Sequence, residues 1–227
     1  MRVCFFDIDG TLVATGGAGK QAFADVFRQL WGVEQIEGSV SFAGRSDRAI
    51  AFDLFRAHGI PDPLDSWHLF REAYVARLAT VLPQFDGCVL PGVEPLISRL
   101  QSAENIHIGL LTGNIVAGAK AKLSHYNLWH HFPFGGYGDE YDDRCEIASS
   151  AVAAARQHAR LRNGANERLV VIGDTVHDIT CARSIGAYAV AVPTGFTPID
   201  ELRAAGPDLA VETLEDCDQL VAWLSEE

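Results

Sequence analysis

Two hydrophobic patterns alternate along the chain. Short uninterrupted apolar runs bounded by turn or polar residues occur at Val3–Phe6, His107–Leu111, Leu169–Ile172 and Tyr188–Val192, with a weaker one at Asp208–Val211. Runs of that length predict buried β-strands. Between the later runs, apolar residues recur at helical spacing. Gly92–Ala103 places Val93, Leu96, Ile97 and Leu100 on one face, and Ile115–Tyr126, Glu146–Leu161 and His177–Ile185 are similar. Strand alternating with helix predicts a parallel sheet covered on both faces through right-handed crossovers.

One region breaks the alternation. From Gly19 to about Leu82 the patterns are helical only: Gln21–Trp31, Asp47–His58 and Ser66–Val81, with Gly59, Pro61 and Pro63 between the last two. A run of helices between the first strand and the next βα unit predicts an inserted helical subdomain, with hinges near Ala14–Gly17 and Pro83–Gly87. The expected organisation is an α/β, Rossmann-like parallel sheet core over residues 1–14 and 88–227, and a helical insert over 15–87. Internal repeats and low-complexity tracts are absent from the sequence.

Composition narrows the chemistry. The chain has 227 residues, 48% of them hydrophobic, so a sizeable core can be buried. Its net charge of −12 repels nucleic acid and anionic membranes. An anionic substrate then needs a local positive site or a metal ion. Cys4, Cys88, Cys145, Cys181 and Cys217 are odd in number, scattered and free of C-x-x-C spacing, which predicts a reducing, cytoplasmic setting. The opening MRVCFFDIDG meets acids too early for a secretory signal, and no apolar run is long enough to span a membrane. His130-His131 is the only histidine cluster, and adjacent residues on a helix point in different directions.

In open parallel sheets, ligands bind at the carboxyl ends of the strands. Asp7-Ile8-Asp9-Gly10-Thr11 follows the first strand, Thr112-Gly113-Asn114 the second, and Gly173-Asp174-Thr175 the third, with Asp178 one turn on. Asp7 and Asp9 lie two apart, so both can face one pocket, and Gly10 permits a tight turn. A carboxylate can act as nucleophile and a neighbouring one as acid and base. Two anions beside a phosphate require a cation. Mg²⁺ binds through a few carboxylates and phosphate oxygens, and Asp174 supplies another carboxylate. A second phosphate-like signature, GGAGK over Gly16–Lys20, fails as a P-loop. Ala14 stands where the first glycine belongs and Gln21 where the Ser/Thr belongs, so this stretch is expected to be a hinge.

The chain resembles the haloacid dehalogenase-like hydrolases, and among them the phosphoglycolate phosphatase-like members. Val3–Thr11 matches the family's first motif, Leu110–Asn114 the second and Val171–Asp178 the fourth, in the family's order and spacing. The helical region matches the family's cap. The resemblance implies that Asp7 is the nucleophile. Asp9 is the acid that protonates the leaving alcohol, then the base that activates water. Thr112 and the backbone near Gly113-Asn114, with Gly10, grip the phosphate. Asp174 binds Mg²⁺ alongside the Asp7 carboxylate and the Asp9 carbonyl oxygen, and Asp178 orients the metal's water shell or the basic residue. Many relatives carry a lysine-proline pair before the helix preceding the fourth motif. The equivalent GDEYDDRCEIA has no lysine, and Arg144 stands near the position. Lys122 or Lys120 is the rival; Arg144 is favoured because a guanidinium suits phosphate recognition.

An aspartate at position 9 points to a phosphate monoester, because an alkoxide leaving group needs a proton and a halide does not. The expected activity is Mg²⁺-dependent hydrolysis of a small phosphorylated metabolite, phosphoglycolate-like, through an aspartyl-phosphate. The alternatives are a β-phosphoglucomutase-like phosphomutase and a non-catalytic phospho-accepting switch. No nucleic-acid or membrane partner is expected, and the protein is expected to be a monomer or homodimer. The cap is expected to close over the site and select the substrate. Within it, Ser46 or Asp47 is the N-cap candidate, and Arg45 meets either a second anionic group of the substrate or a surface salt bridge. Lys20 lines the cap edge or is solvated. Thr194-Gly195-Phe196 is a candidate wall of the site.

Overall fold

The computed structural model describes residues 2–103, 106–159, 167–195, 197–215, 218 and 221–222. The strands are β1 (Arg2–Phe6), β2 (Val13–Ala14), β3 (Cys88–Val89), β4 (Ile106–Leu111), β5 (Gly135–Gly136), β6 (Arg168–Gly173), β7 (Tyr188–Ala191) and β8 (Leu209–Ala210). The α-helices are α1 (Ala18–Trp31), α2 (Asp47–Ala57), α3 (Pro63–Val81), α4 (Val93–Ser102), α5 (Val116–His125), α6 (Arg144–His158), α7 (Val176–Ser184) and α8 (Ile199–Ala204). The expected helix over Glu146–Leu161 begins two residues earlier, and its end at Leu161 lies outside the described residues.

Six strands form one parallel sheet in the order β5-β4-β1-β6-β7-β8. The period of two along β1 sends its side chains to opposite faces. Cys4 and Phe6 pack with Val93, Leu96 and Leu100 of α4 and Leu123 of α5. Val3 and Phe5 pack with Ala148, Ala151 and Val152 of α6 and Ile179 of α7. That double burial is why β1 is an unbroken apolar run. From β1 the chain moves outward to β4 and β5, then returns to the other side as β6, so the sheet's switch point lies at the end of β1. Phe6 is level with Leu110 of β4 and Ile172 of β6. The three strand ends therefore open at one height.

Helices α1, α2 and α3 pack around a separate cluster in which Phe23, Phe27, Phe55, Phe70 and Tyr74 are buried together. Phe23 lies with ring centroids 4.7 Å from both Phe70 and Tyr74. The two chain crossings to this cluster are joined, because β2 and β3 pair antiparallel through Val13–Val89 and Ala14–Cys88. Pro63, expected as a separator, is the first residue of α3, where its missing N–H costs nothing. Gly16 and Gly17 turn the chain into α1 with φ of 62° and 97°, and Gly19-Lys20 already belongs to the helix. No helix among the described residues is long and apolar enough to cross a membrane.

Candidate functional site

The level ends of β1, β4 and β6 set the first contacts. Asp7 N donates to Ile172 O at 3.0 Å, holding the residue after β1 against β6. Gly10 follows with φ of 85°, and a Cβ there would lie 2.5 Å from Asp174 Oδ2, so glycine is needed for both backbone and space. Thr11 Oγ1 donates to Asp174 Oδ1 at 3.2 Å, and Thr194 Oγ1 donates to Gly10 O at 2.6 Å.

Asp7, Asp174 and Asp178 form one buried cluster, each offering a carboxylate oxygen, all within 4.8 Å of one another. Arg144, the first residue of α6, closes it. Its Nη2 donates to Asp178 Oδ1 at 2.7 Å and lies 3.7 Å from Asp7 Oδ1. Asp178 Oδ2 accepts from Thr175 N at 3.0 Å and Thr175 Oγ1 at 2.7 Å, a capping arrangement at the start of α7. Burial pushes the Asp7 carboxyl up to about 7 against the pull of Arg144. Burial, then the charges of Asp178 and Asp7, push Asp174 up to about 8. Burial opposes the Arg144 charge, but Asp178 and Asp7 outweigh it and hold the guanidinium protonated. Among the described residues, no group accepts from the buried Arg144 Nε.

Asp9 points elsewhere. Its Oδ2 accepts from Lys122 Nζ at 2.6 Å and from Asn114 Nδ2 at 2.8 Å. Lys122 also donates to Asn114 Oδ1 at 2.6 Å, and Asn114 Nδ2 donates to Thr112 Oγ1 at 2.8 Å. The Lys122 side chain is 5% exposed and that of Asp9 is 41% exposed, so the lysine lies behind a carboxylate that faces outward. Arg144 and Lys122 thus pair with different carboxylates, Asp178 and Asp7 for the first and Asp9 for the second, while Lys120 is exposed. By side chain, Asp9 stands outside the three-carboxylate cluster. Burial pushes Asp47, near Lys122, up to about 6.

Arg45 is bound within the helical region. Its Nη1 donates to Asp53 Oδ2 at 2.6 Å, the salt-bridge alternative, although it lines a cavity of 380 Å³ together with Arg144 and His177. Ser46 is the N-cap of α2, accepting from Ala49 N at 3.2 Å, and Asp47 is the first helical residue. Lys20 is exposed with Nζ 5.7 Å from the Phe42 ring. Gly195 packs on Asp174, and Phe196 lies outside the described residues. The contacts of Thr11 with Asp174, of Thr175 with Asp178 and of Asp47 with Ile115 are not expected from the sequence. The T-x-x-D spacing of Thr175 and Asp178 carried a capping signal.

The donor set is all oxygen, buried and rich in charge, which fits a hard divalent cation such as Mg²⁺. A family model described as "Hydrolase: haloacid dehalogenase-like hydrolase" matches residues 1–186. Among related sequences, the chain is 29% identical over 225 residues to the probable phosphatase IndB of Dickeya dadantii, covering 93% of this chain and 89% of the relative. It is 29% identical over 229 residues to a phosphoglycolate phosphatase of Synechococcus elongatus, covering 99% of each. The crystal structure of a hydrolase from Pseudomonas syringae shares the fold with a TM-score of 0.73 over 100% of both chains, at 21% identity.

Proposed function

The chain belongs to the haloacid dehalogenase-like hydrolases, and on that premise we propose that it is a phosphatase that passes the phosphoryl group of a small monoester to Asp7 and then to water. The observation that carries this reading is the separation of two carboxylates two residues apart. Asp7 sits with Arg144 and the other buried acids, while Asp9 is held by Lys122 and Asn114. Different surroundings give two carboxylates different roles.

In the first step, an Asp7 oxygen attacks phosphorus, the ester P–O bond breaks, and Asp9 delivers its proton to the departing alkoxide. In the second, Asp9 takes a proton from water, the water oxygen attacks phosphorus, and the Asp7–phosphorus bond breaks. The sum is ester plus water giving alcohol plus phosphate. Thr112 Oγ1, the backbone of Gly113-Asn114 and the Arg144 guanidinium are the donors available to the phosphoryl oxygens. The carboxylates of Asp7 and Asp174, with Asp178 close by, would hold Mg²⁺, which favours ionised Asp7 and offsets substrate charge. Helices α1–α3 serve as the cap that excludes water.

The substrate class is a small phosphorylated metabolite, with phosphoglycolate as first candidate from the named relative. The test is phosphate release from a panel of monoesters, phosphoglycolate and glucose 1-phosphate included, with Mg²⁺ and with chelator. Magnesium-dependent release is the expected result. A folded protein that releases no phosphate from any ester with Mg²⁺ contradicts the reading.

A further inference from the structure

Helix α5 starts without a cap of its own. Its N-cap position is Ile115, which has no side-chain oxygen, and its first turn holds no acid. A helix start leaves several N–H groups unpaired. Here two of them are met by distant carboxylates. Ile115 N donates to Asp47 Oδ2 at 2.9 Å and Val116 N to Asp139 Oδ2 at 2.7 Å.

Asp47 comes from the helical region, at the start of α2, and is buried. Its own amide donates to Gly113 O at 2.7 Å. One residue thus exchanges two hydrogen bonds with the segment Gly113–Ile115. The approach is close enough that a Cβ on Gly113 would lie 2.2 Å from Arg45 O. This segment follows Thr112 and contains Asn114. About two turns along α5 is Lys122, which reaches both Asn114 and Asp9.

We infer that Asp47 is a positioning residue for the proton-transfer group Asp9. By capping α5 from the helical region, it makes the seating of α2 the event that sets Thr112, Asn114 and Lys122 around Asp9. This inference rests on the phosphatase reading for its catalytic consequence, not for the capping itself.

The test compares wild type, Asp47→Ala and Asp47→Asn with Mg²⁺ on benzyl phosphate and p-nitrophenyl phosphate. The first has a leaving group that needs a proton; the second does not. Asp47→Ala should lower kcat on the benzyl ester roughly 30-fold and on the nitrophenyl ester less than about 5-fold, because general acid catalysis contributes to only one of them. KM should change little on either. Asp47→Asn keeps an acceptor for Ile115 and should stay within about 3-fold of wild type on both esters. Equal losses on the two esters, or Asp47→Asn no better than Asp47→Ala, overturn the inference. If Asp47→Ala does not fold, Asp47→Ser, whose hydroxyl falls one bond short of Ile115, replaces it. Hydrogen exchange separates the two claims. The Ile115 amide should exchange faster in Asp47→Ala, and unchanged exchange refutes the capping whether or not any ester is hydrolysed. A wild type inert on every ester, with exchange altered as expected, refutes only the phosphatase reading.

Discussion

Replacing Arg144 by Met tests the electrostatics of the buried cluster. The ion pairs to Asp7 and Asp178 both come from Arg144, and all three side chains are at least nine-tenths buried. Removing one partner of a buried pair costs about 3–5 kcal/mol, because the remaining charge is left without compensation. The unpartnered Nε works the other way, since an unpaired buried donor is itself unfavourable by about 1–3 kcal/mol. A net loss of about 2 kcal/mol is expected, a large share of a typical total of about 5–15 kcal/mol. The loss should depend on pH. Arg144 pulls the Asp7 carboxyl down, so without it the folded-state value climbs above about 7. An acid raised in the folded state keeps a proton that the unfolded chain has lost, so stability falls as pH rises from its unfolded value through its folded one. The variant extends that window upward. Urea unfolding of metal-free wild type and Arg144→Met should therefore show a larger difference at about pH 8 than at about pH 5. A difference below about 1 kcal/mol, or one equal at both pH values, refutes the reasoning.

Further outcomes follow from the same geometry. Metal-free wild type should itself lose stability from about pH 5 to about pH 8, since burial holds Asp7 near 7 and Asp174 near 8. Magnesium should then raise the Tm more at the higher pH, and a pH-independent shift in thermal scans contradicts this. Asp9→Asn should lower kcat on alkyl esters roughly 10²–10⁴-fold and much less on activated aryl esters, as steady-state rates will show. Gly10→Ala forces a side chain into a left-handed backbone and against Asp174, so it should cost about 1–3 kcal/mol in chemical unfolding. It should also abolish the magnesium-induced thermal shift.

The long elements were legible because their burial is regular. Cys4 and Phe6 face one helical layer and Val3 and Phe5 the other, which writes an apolar run into the sequence. The short ones were not. Gly135–Gly136 has no side chains to display a period and is a strand only because β4 pairs with it. Val13–Ala14 and Cys88–Val89 are two-residue strands, too short to display a period, that pair with each other. At the site, the motifs named Asp7, Asp9, Asp174 and Asp178, but sequence spacing set Arg144 against Lys122 as rivals. In the fold they stand on different helices, α5 packed on one face of the sheet and α6 on the other, and they pair with different carboxylates. Asp47 gave no signal of its contact, since its partners are a backbone amide and a carbonyl far along the chain.

A phosphoryl group that passes through Asp7 leaves a covalent intermediate that can be trapped. The most direct measurement is an acid quench of enzyme turning over a ³²P-labelled monoester with Mg²⁺, followed by peptide mapping. Hydroxylamine-labile label is expected on the peptide containing Asp7 in wild type, and neither label nor turnover in Asp7→Asn. Near wild-type turnover by a folded Asp7→Asn, or label carried on a different residue, would contradict it.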